Sequence, residues 1–92
     1  MPGQSTKTDA VEAVPLPALN WQTILYNCEC HTFEDVVQQL MIAIGCSHLK
    51  GSHLAQIVHN FGSATVFKGT REKCEGVADV LGRIGLLVKV VQ

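Results

Sequence analysis

The stretch that decides the fold is Trp21-Gln-Thr-Ile-Leu-Tyr26, which is followed by Asn27 and then by Thr32-Phe-Glu-Asp-Val-Val37. Apolar and β-branched residues alternate with others in the first segment, and this pattern predicts a strand buried on at least one face. Asn27 ends the strand. Thr32 is a suitable N-cap with Asp35 three residues later, so a helix is expected to begin after a short polar turn.

Three amphipathic helices are predicted from caps, glycines and apolar spacing. Thr32, Ser47 and Thr70 begin them, and Gly45, Gly62 and Gly85 are expected to end them. Gly51 lies inside the second helix and is expected to weaken it by roughly 1 kcal/mol relative to Ala. The predicted apolar stripes are Phe33, Val36, Val37, Leu40, Met41 and Ile44; Leu54, Ile57, Val58 and Phe61; and Cys74, Val77, Ala78, Leu81 and Ile84.

Two further short strands are expected at residues 63–69 and 86–91, which gives the order β-α-α-β-α-β. The predicted fold class is therefore α+β, a compact domain in which three helices pack on a three-stranded sheet. Residues 1–20 contain Gly, Ser, Thr and Pro without a sustained apolar period, which predicts a flexible N-terminal arm. The folded domain is expected to occupy residues 21–92.

Composition and charge limit the classes of function. The 92 residues suffice for one small domain, and a formal net charge of -1 gives no support for a nucleic-acid partner. There is neither an apolar run of roughly 20 residues nor a secretory signal, so we expect a cytoplasmic monomer that does not contact membranes. For such a protein, the cysteines at 28, 30, 46 and 74 are expected to be reduced thiols.

The cysteines and histidines raise two chemical alternatives. Soft ligands for zinc are supplied by Cys28, Cys30 and His31, together with Cys46, His48 and His53. Their spacing matches no recognised zinc pattern, so no metal or other cofactor is predicted, although a thiol- or metal-sensing role stays open. Cys28 and His59 could approach each other, but no third orienting residue is evident, so catalysis is not expected.

Four motifs follow one another in a single register: Ile24-Leu-Tyr-Asn-Cys-Glu29, Phe33-Glu-Asp-Val-Val37, Val58-His-Asn-Phe-Gly62 and Thr70-Arg-Glu-Lys-Cys-Glu75. Together they resemble the ClpS family, whose members hand proteins with destabilising N-terminal residues (N-degrons) to a Clp AAA+ unfoldase–protease. The resemblance implies a ClpS-like α+β fold and a non-catalytic adaptor. Its implied partners are a Clp-type unfoldase and N-degron-bearing proteins or peptides, with the N-terminal arm needed for handover.

The resemblance also implies the residues of a substrate pocket. Asn27, Glu29 and His59 would bind the α-ammonium and the first peptide group of the substrate, and Phe33 would help to gate the pocket. The positions that match the remaining pocket and partner contacts are Cys28 in the polar turn; Val36, Ala55, Val58, Leu86 and Leu87 in the apolar lining; and Glu72 as a contact to the unfoldase.

The polar turn departs from the family pattern. Cys28 stands where the family has its first acidic residue, Glu29 replaces Asp, and Thr32 replaces the usual Pro. An ammonium ion in a partly dry site needs acceptors or a counter-charge, and the weak acceptor Cys28 could reduce binding by about 1 kcal/mol. A ClpS-like paralogue that has lost free N-terminus recognition, and instead binds an internal segment or regulates the unfoldase, is therefore the alternative.

Overall fold

The computed structural model describes residues 20–92, so the predicted arm falls outside the described residues except for Asn20. The elements are β1 (Trp21–Tyr26), α1 (Phe33–Ile44), α2 (His48–Phe61), β2 (Ser63–Gly69), α3 (Arg71–Gly82) and β3 (Leu87–Val91). This order and the three-stranded sheet confirm the predicted α+β class. Within residues 20–92, no helix combines the length and apolar character needed to cross a membrane.

β1 is the central strand of the sheet. It pairs antiparallel with β2 on one side and with β3 on the other. Thr23 and Leu25 are fully buried, as the predicted alternation requires. The Thr23 hydroxyl donates a hydrogen bond of 2.8 Å to the main-chain carbonyl of Cys74 in α3. This bond satisfies a polar group in the core and links the sheet to the helical layer.

The three helices begin at the predicted caps. Thr32 accepts from the backbone N–H of Asp35 while the Asp35 carboxylate accepts from the backbone N–H of Thr32, which is a complete capping box. Ser47 and Thr70 each accept from the backbone N–H three residues later. Caps of this kind satisfy N–H groups that the first helical turn leaves without partners.

The predicted end of α3 is wrong. α3 ends at Gly82 with Arg83 as its C-cap, so Ile84 lies in the following turn rather than on the apolar face of the helix. Gly85 has φ of 88° in the connection to β3. A positive φ suits glycine both at a helix stop and in a loop, so the residue type alone does not distinguish the two positions.

The core lies between the sheet and the helices. Its buried apolar residues are Leu25, Val37, Leu40, Ala55, Val58, Val66, Val77, Leu81 and Leu86. Phe61 was predicted on the apolar stripe of α2, yet it is 78% exposed. It is the last residue of that helix. Apolar periodicity predicts the direction of a side chain around the axis but not where the neighbouring layer ends, and this explains the error.

Gly51 allows α1 and α2 to approach each other closely. It is buried, and a Cβ atom placed there would lie 3.3 Å from both the Val37 Cγ1 atom and the Val37 carbonyl oxygen. The carbonyl oxygen belongs to the α1 backbone and cannot move as a side chain can. Glycine has a low helix propensity and weakens α2. Its presence at this position is explained by the close packing of the two helices, which leaves little room for a Cβ atom.

Alanine at Gly51 and at Gly76 should affect stability differently. Gly76 is exposed in α3 and a Cβ atom there would meet nothing within 4 Å. We expect Gly76→Ala to raise the free energy of unfolding by about 0.5–1 kcal/mol, as alanine does in an open helix. The free energy of unfolding of Gly51→Ala should be lower than that of Gly76→Ala by at least about 0.5 kcal/mol, because the added methyl group crowds α1. Urea denaturation measures both, and equal effects would contradict the close-approach explanation.

Candidate functional site

A pocket of about 500 Å³ opens where the end of β1 meets α1 and α2. Its size falls within the range of pockets that hold small molecules. The lining combines polar residues with apolar ones. The polar members are Asn27, Glu29, His31, Thr32, Gln56 and His59, and the others are Leu25, Tyr26, Cys28, Phe33, Val36, Ala55, Val58 and Leu86.

A backbone hydrogen bond positions the polar rim. The N–H of Asn27, directly after β1, donates to the carbonyl of Gly62, the C-cap of α2, at 2.8 Å. His59 lies in the last turn of the same helix. The turn after β1 and the end of α2 are therefore held together, and Asn27, Glu29 and His59 all line one pocket although 32 positions separate the first from the last. All three residues are exposed.

The floor of the pocket is part of the hydrophobic core. Leu25 is fully buried, and Ala55, Val58 and Leu86 are 3%, 4% and 5% exposed. Side chains that are fixed by core packing cannot collapse into the space beside them, so the apolar floor is formed before any ligand enters.

Two further apolar residues lie higher on the wall. Val36 of α1 is partly buried, and Phe33, the first residue of that helix, is 43% exposed while still lining the pocket. Phe33 therefore lies where the apolar interior meets solvent.

Two residues implied by the resemblance lie outside the pocket lining. Leu87 is 55% exposed, whereas its neighbour Leu86 is buried and lines the pocket. Neighbouring residues of an extended chain point to opposite sides, so one of the two faces the core and the other faces away. Glu72 is exposed in the first turn of α3 and is not part of the lining.

Five lining residues were not predicted as site residues: Leu25, Tyr26, His31, Thr32 and Gln56. Leu25 and Tyr26 were assigned only to the strand, and Thr32 only to the helix cap. Gln56 lies three positions before His59 on α2, a spacing that places both side chains on one helix face. That spacing could have identified Gln56, but nothing in the local sequence distinguishes a strand-end Tyr that lines a pocket from one that does not.

The expectation of reduced thiols is wrong for the turn after β1. Cys28 and Cys30 are joined by a disulfide, with their Cα atoms 5.3 Å apart. This separation lies within the usual range for a disulfide, and the turn brings the two residues to it although only Glu29 lies between them. Cys46 and Cys74 are free. The turn places Cys28 in the pocket lining and leaves Cys30 exposed outside it.

His31 is anchored by one hydrogen bond and lies against the disulfide. Its Nε2 atom is hydrogen-bonded to the carbonyl oxygen of Ile84, and its Nδ1 atom lies 3.1 Å from the Sγ atom of Cys30. Because a carbonyl oxygen only accepts, Nε2 carries the proton, and in the neutral ring Nδ1 is then the acceptor. The sulfur and nitrogen atoms of Cys28, Cys30 and His31 lie within 4.8 Å of one another. Of the predicted zinc ligands, the described residues bring together these three, without Cys46, His48 or His53.

The pocket can accept a cation at its rim and an apolar group in its interior. The Asn27 amide oxygen, the Glu29 carboxylate and one nitrogen of a neutral His59 ring are hydrogen-bond acceptors. Glu29 also contributes negative charge. A ligand that joins a donor-rich cation directly to an apolar side chain would match both parts at once.

Fold and pocket together define a small α+β domain with a polar-rimmed apolar pocket. The chain belongs to the ClpS family: the model of that family, described as ATP-dependent Clp protease adaptor protein ClpS, matches residues 17–84. It is an adaptor family of the Clp protease and acts in proteolysis. The resemblance carried by the four sequence motifs is thereby confirmed.

Two of the relatives are themselves ClpS adapter proteins. The ClpS adapter protein of Streptomyces avermitilis is 32% identical over 94 residues, which cover 99% of this chain and 90% of that protein. The ClpS adapter protein of Streptomyces coelicolor is 32% identical over 89 residues, covering 94% of this chain and 93% of that protein. A 66-residue stretch is 33% identical to the Caenorhabditis elegans E3 ubiquitin-protein ligase ubr-1, covering 72% of this chain but 3% of the ligase.

A solved structure has the same fold. Agrobacterium tumefaciens ClpS2 bound to L-phenylalaninamide superimposes with a TM-score of 0.75, at 22% sequence identity, over 80% of this chain and 96% of that one. At this identity the likeness establishes the shared architecture.

The disulfide predicts the number of reactive thiols. In denaturant without reductant, two thiols per chain, Cys46 and Cys74, should react with a chromogenic thiol reagent, and four should react after reduction. In the native oxidised protein, the Cys74 thiol should react slowly because the residue is fully buried. Four reactive thiols before reduction would contradict the Cys28–Cys30 disulfide.

Proposed function

We propose that this protein is a non-catalytic adaptor that binds the free N-terminal residue of N-degron-bearing substrates and delivers them to a Clp-type AAA+ unfoldase. One observation carries the proposal: hydrogen-bond acceptors from two separate elements line the same cavity as an apolar floor. The start of a polypeptide offers the complementary chemistry, since its α-ammonium and its first side chain are attached to the same carbon atom.

The polar rim supports recognition of the α-ammonium. An ammonium group donates three hydrogen bonds, and Asn27, Glu29 and His59 supply an amide oxygen, a carboxylate and a ring nitrogen. The carboxylate also attracts the positive charge, and charge-assisted hydrogen bonds are stronger than neutral ones. An acetylated chain end has neither the charge nor the three donors, so the rim would discriminate against it.

The apolar interior supports binding of the first side chain. Complete burial of a Leu- or Phe-sized side chain contributes roughly 1.5–3 kcal/mol. The ligand of Agrobacterium ClpS2 is an amino acid amide with a free amine and an aromatic side chain. It is the minimal form of the ligand that we propose here, with the amide in place of the first peptide group.

Delivery requires contacts that leave the pocket free. Glu72 is exposed in α3 and outside the pocket lining, so an unfoldase that contacts this residue could do so while a substrate is bound. We assign the handover step to this surface together with the N-terminal arm of residues 1–20.

The disulfide supports a second candidate function. In the oxidised turn, Cys28 lines the pocket as a neutral sulfur that offers the ammonium no charge. A pocket with Glu29 as the nearest negative group would select less strongly for a free chain end. In that case the protein would bind an internal segment or regulate the unfoldase.

Matched peptides distinguish the two functions. A peptide that begins with free Phe or Leu should bind at least about tenfold more tightly than its acetylated twin, because one charge-assisted hydrogen bond alone contributes roughly 1.5–3 kcal/mol. Fluorescence anisotropy with a C-terminal label measures both affinities in reducing buffer. Equal binding of the two peptides would favour the internal-segment function, and no binding of either would exclude both peptide-binding functions.

His59→Ala should weaken binding of the free-ended peptide about five- to tenfold, because one acceptor of the ammonium is lost. His53→Ala is the matched control, since His53 is exposed on the same helix but lies outside this pocket. The thermal unfolding midpoint of each variant should differ from that of the wild type by no more than is typical of surface substitutions. If both variants weakened binding equally, or if His59→Ala unfolded, the assignment of His59 to the rim would be wrong.

A further inference from the structure

His31 joins two loops that both contribute to the pocket. It ends the turn after β1, in which Cys28 and Glu29 also line the pocket. Its Nε2 atom is hydrogen-bonded to the carbonyl oxygen of Ile84, 53 positions later, in the connection between α3 and β3. That connection leads into Leu86, a buried residue of the pocket floor. One side chain therefore links the loop with the rim carboxylate to the loop with part of the apolar floor.

The peptide unit that accepts this hydrogen bond is also held at its other end. Its N–H belongs to Gly85 and donates to the carbonyl of Gly82 at 2.9 Å, which closes the turn after α3. Gly85 has φ of 88°, a conformation that favours glycine. A Cβ atom placed there would lie 3.6 Å from the Cε1 atom of His31. The histidine ring therefore lies against this turn as well as bonding to it.

The turn after β1 is anchored at both of its ends. At its start, the Asn27 N–H donates to the Gly62 carbonyl at 2.8 Å. At its end is His31, which is half-buried. The neutral ring with its proton on Nε2 and the imidazolium both donate through Nε2, so the bond to Ile84 does not depend on the charge of the ring. Glu29 is carried between these two anchors.

We propose that His31 is a positioning residue of the pocket, whose bond to the Ile84 carbonyl fixes the Glu29 carboxylate relative to the apolar floor at Leu86. The inference rests on the proposed function and adds a residue on which that site depends. In a free chain end, the α-ammonium and the first side chain are attached to one carbon atom, so their separation is fixed. The rim charge and the apolar floor must keep a matching separation to hold both groups at once.

Without this bond, the turn is anchored at its start alone. Binding would then have to order the loop that carries Glu29, and ordering a loop on binding costs free energy. The loss should be larger for a ligand that uses the rim and the floor together than for an acetylated peptide, which lacks the ammonium.

Two amide side chains at position 31 test the bond. Counted from Cβ, the amide nitrogen of glutamine stands where His Nε2 stands, whereas that of asparagine stands where Nδ1 stands and falls short of Ile84. His31→Asn should weaken binding of the free-ended Phe peptide about fivefold, the effect of one lost neutral hydrogen bond. His31→Gln should bind within about twofold of the wild type. If the two variants were affected equally, or neither were affected, the bond would not position the site.

Fluorescence anisotropy measures these affinities with the disulfide intact in every variant, as checked by intact mass. His48→Asn is the control for the loss of an exposed histidine, since His48 bonds to Glu34 outside the pocket lining. Its affinity for the peptide should equal that of the wild type.

A change on the other side of the bond separates positioning from direct contact with the ligand. Gly85→Ala strains the accepting turn although Gly85 does not line the pocket, and it should also weaken binding about fivefold. Gly45→Ala is the matched control, because Gly45 has φ of 65° and lies outside the pocket lining. It should leave binding unchanged.

The double variant of His31→Asn and Gly85→Ala should bind no more than about twofold worse than either single variant, because both changes break one interaction. Effects that multiply would instead show that His31 contacts the ligand directly, and would overturn the inference. If His31→Asn does not fold, the comparison of Gly85→Ala with Gly45→Ala decides: equal binding by these two overturns the inference.

Failure of the inference can be distinguished from failure of the proposed function. If the wild type prefers the free-ended peptide over its acetylated twin and His31→Asn binds it equally well, the inference alone is wrong. If the wild type binds neither peptide, or binds both equally, the proposed function fails and the inference fails with it.

Discussion

The hydrogen bond from the Asn27 N–H to the Gly62 carbonyl, 2.8 Å long, is the constraint on which the candidate site depends. It joins the residue that follows the central strand to the residue that caps α2. β1 is fixed by its two neighbouring strands and by the burial of Thr23 and Leu25, so its end cannot move independently of the core. Both sides of the pocket rim therefore take their positions from the central strand and the core that it helps to form.

The pocket floor and the domain core share the same side chains. Leu25, Ala55, Val58 and Leu86 belong to the buried cluster and also line the pocket. A floor of this kind needs no reorganisation when a ligand enters, and preorganisation lowers the entropic cost of binding. The same sharing means that a change to the floor alters stability and binding together, whereas a change to the exposed rim can alter binding alone.

Residues 28–31 form the turn that carries Glu29 into the pocket lining. Four consecutive residues combine a disulfide, a carboxylate and a histidine that is anchored to the Ile84 carbonyl. Glu29 lies between the two bonded cysteines. The charged group of the rim is therefore close to the two sulfur atoms. Glu29 and Cys30 are exposed, whereas Cys28 and His31 are half-buried.

The sequence by itself determined the elements of secondary structure and most of their ends. Alternation in β1, the stripe of α1 and the caps Thr32, Ser47 and Thr70 act over a few residues, so they can be recognised without knowledge of the rest of the chain. The motifs that resemble the ClpS family also identified Asn27, Glu29 and His59, which lie around one pocket.

Tertiary structure decided which side chains are buried, exposed or joined. Phe61 follows the helical period yet is exposed, and Leu86 rather than Leu87 lines the pocket. Gly51 opposes helix formation locally but permits the contact with Val37, and the conformation of one turn brings Cys28 to Cys30. The physical reason is common to all of these: periodicity and capping depend on near neighbours in sequence, whereas burial and bonding depend on where distant segments meet and where each layer ends.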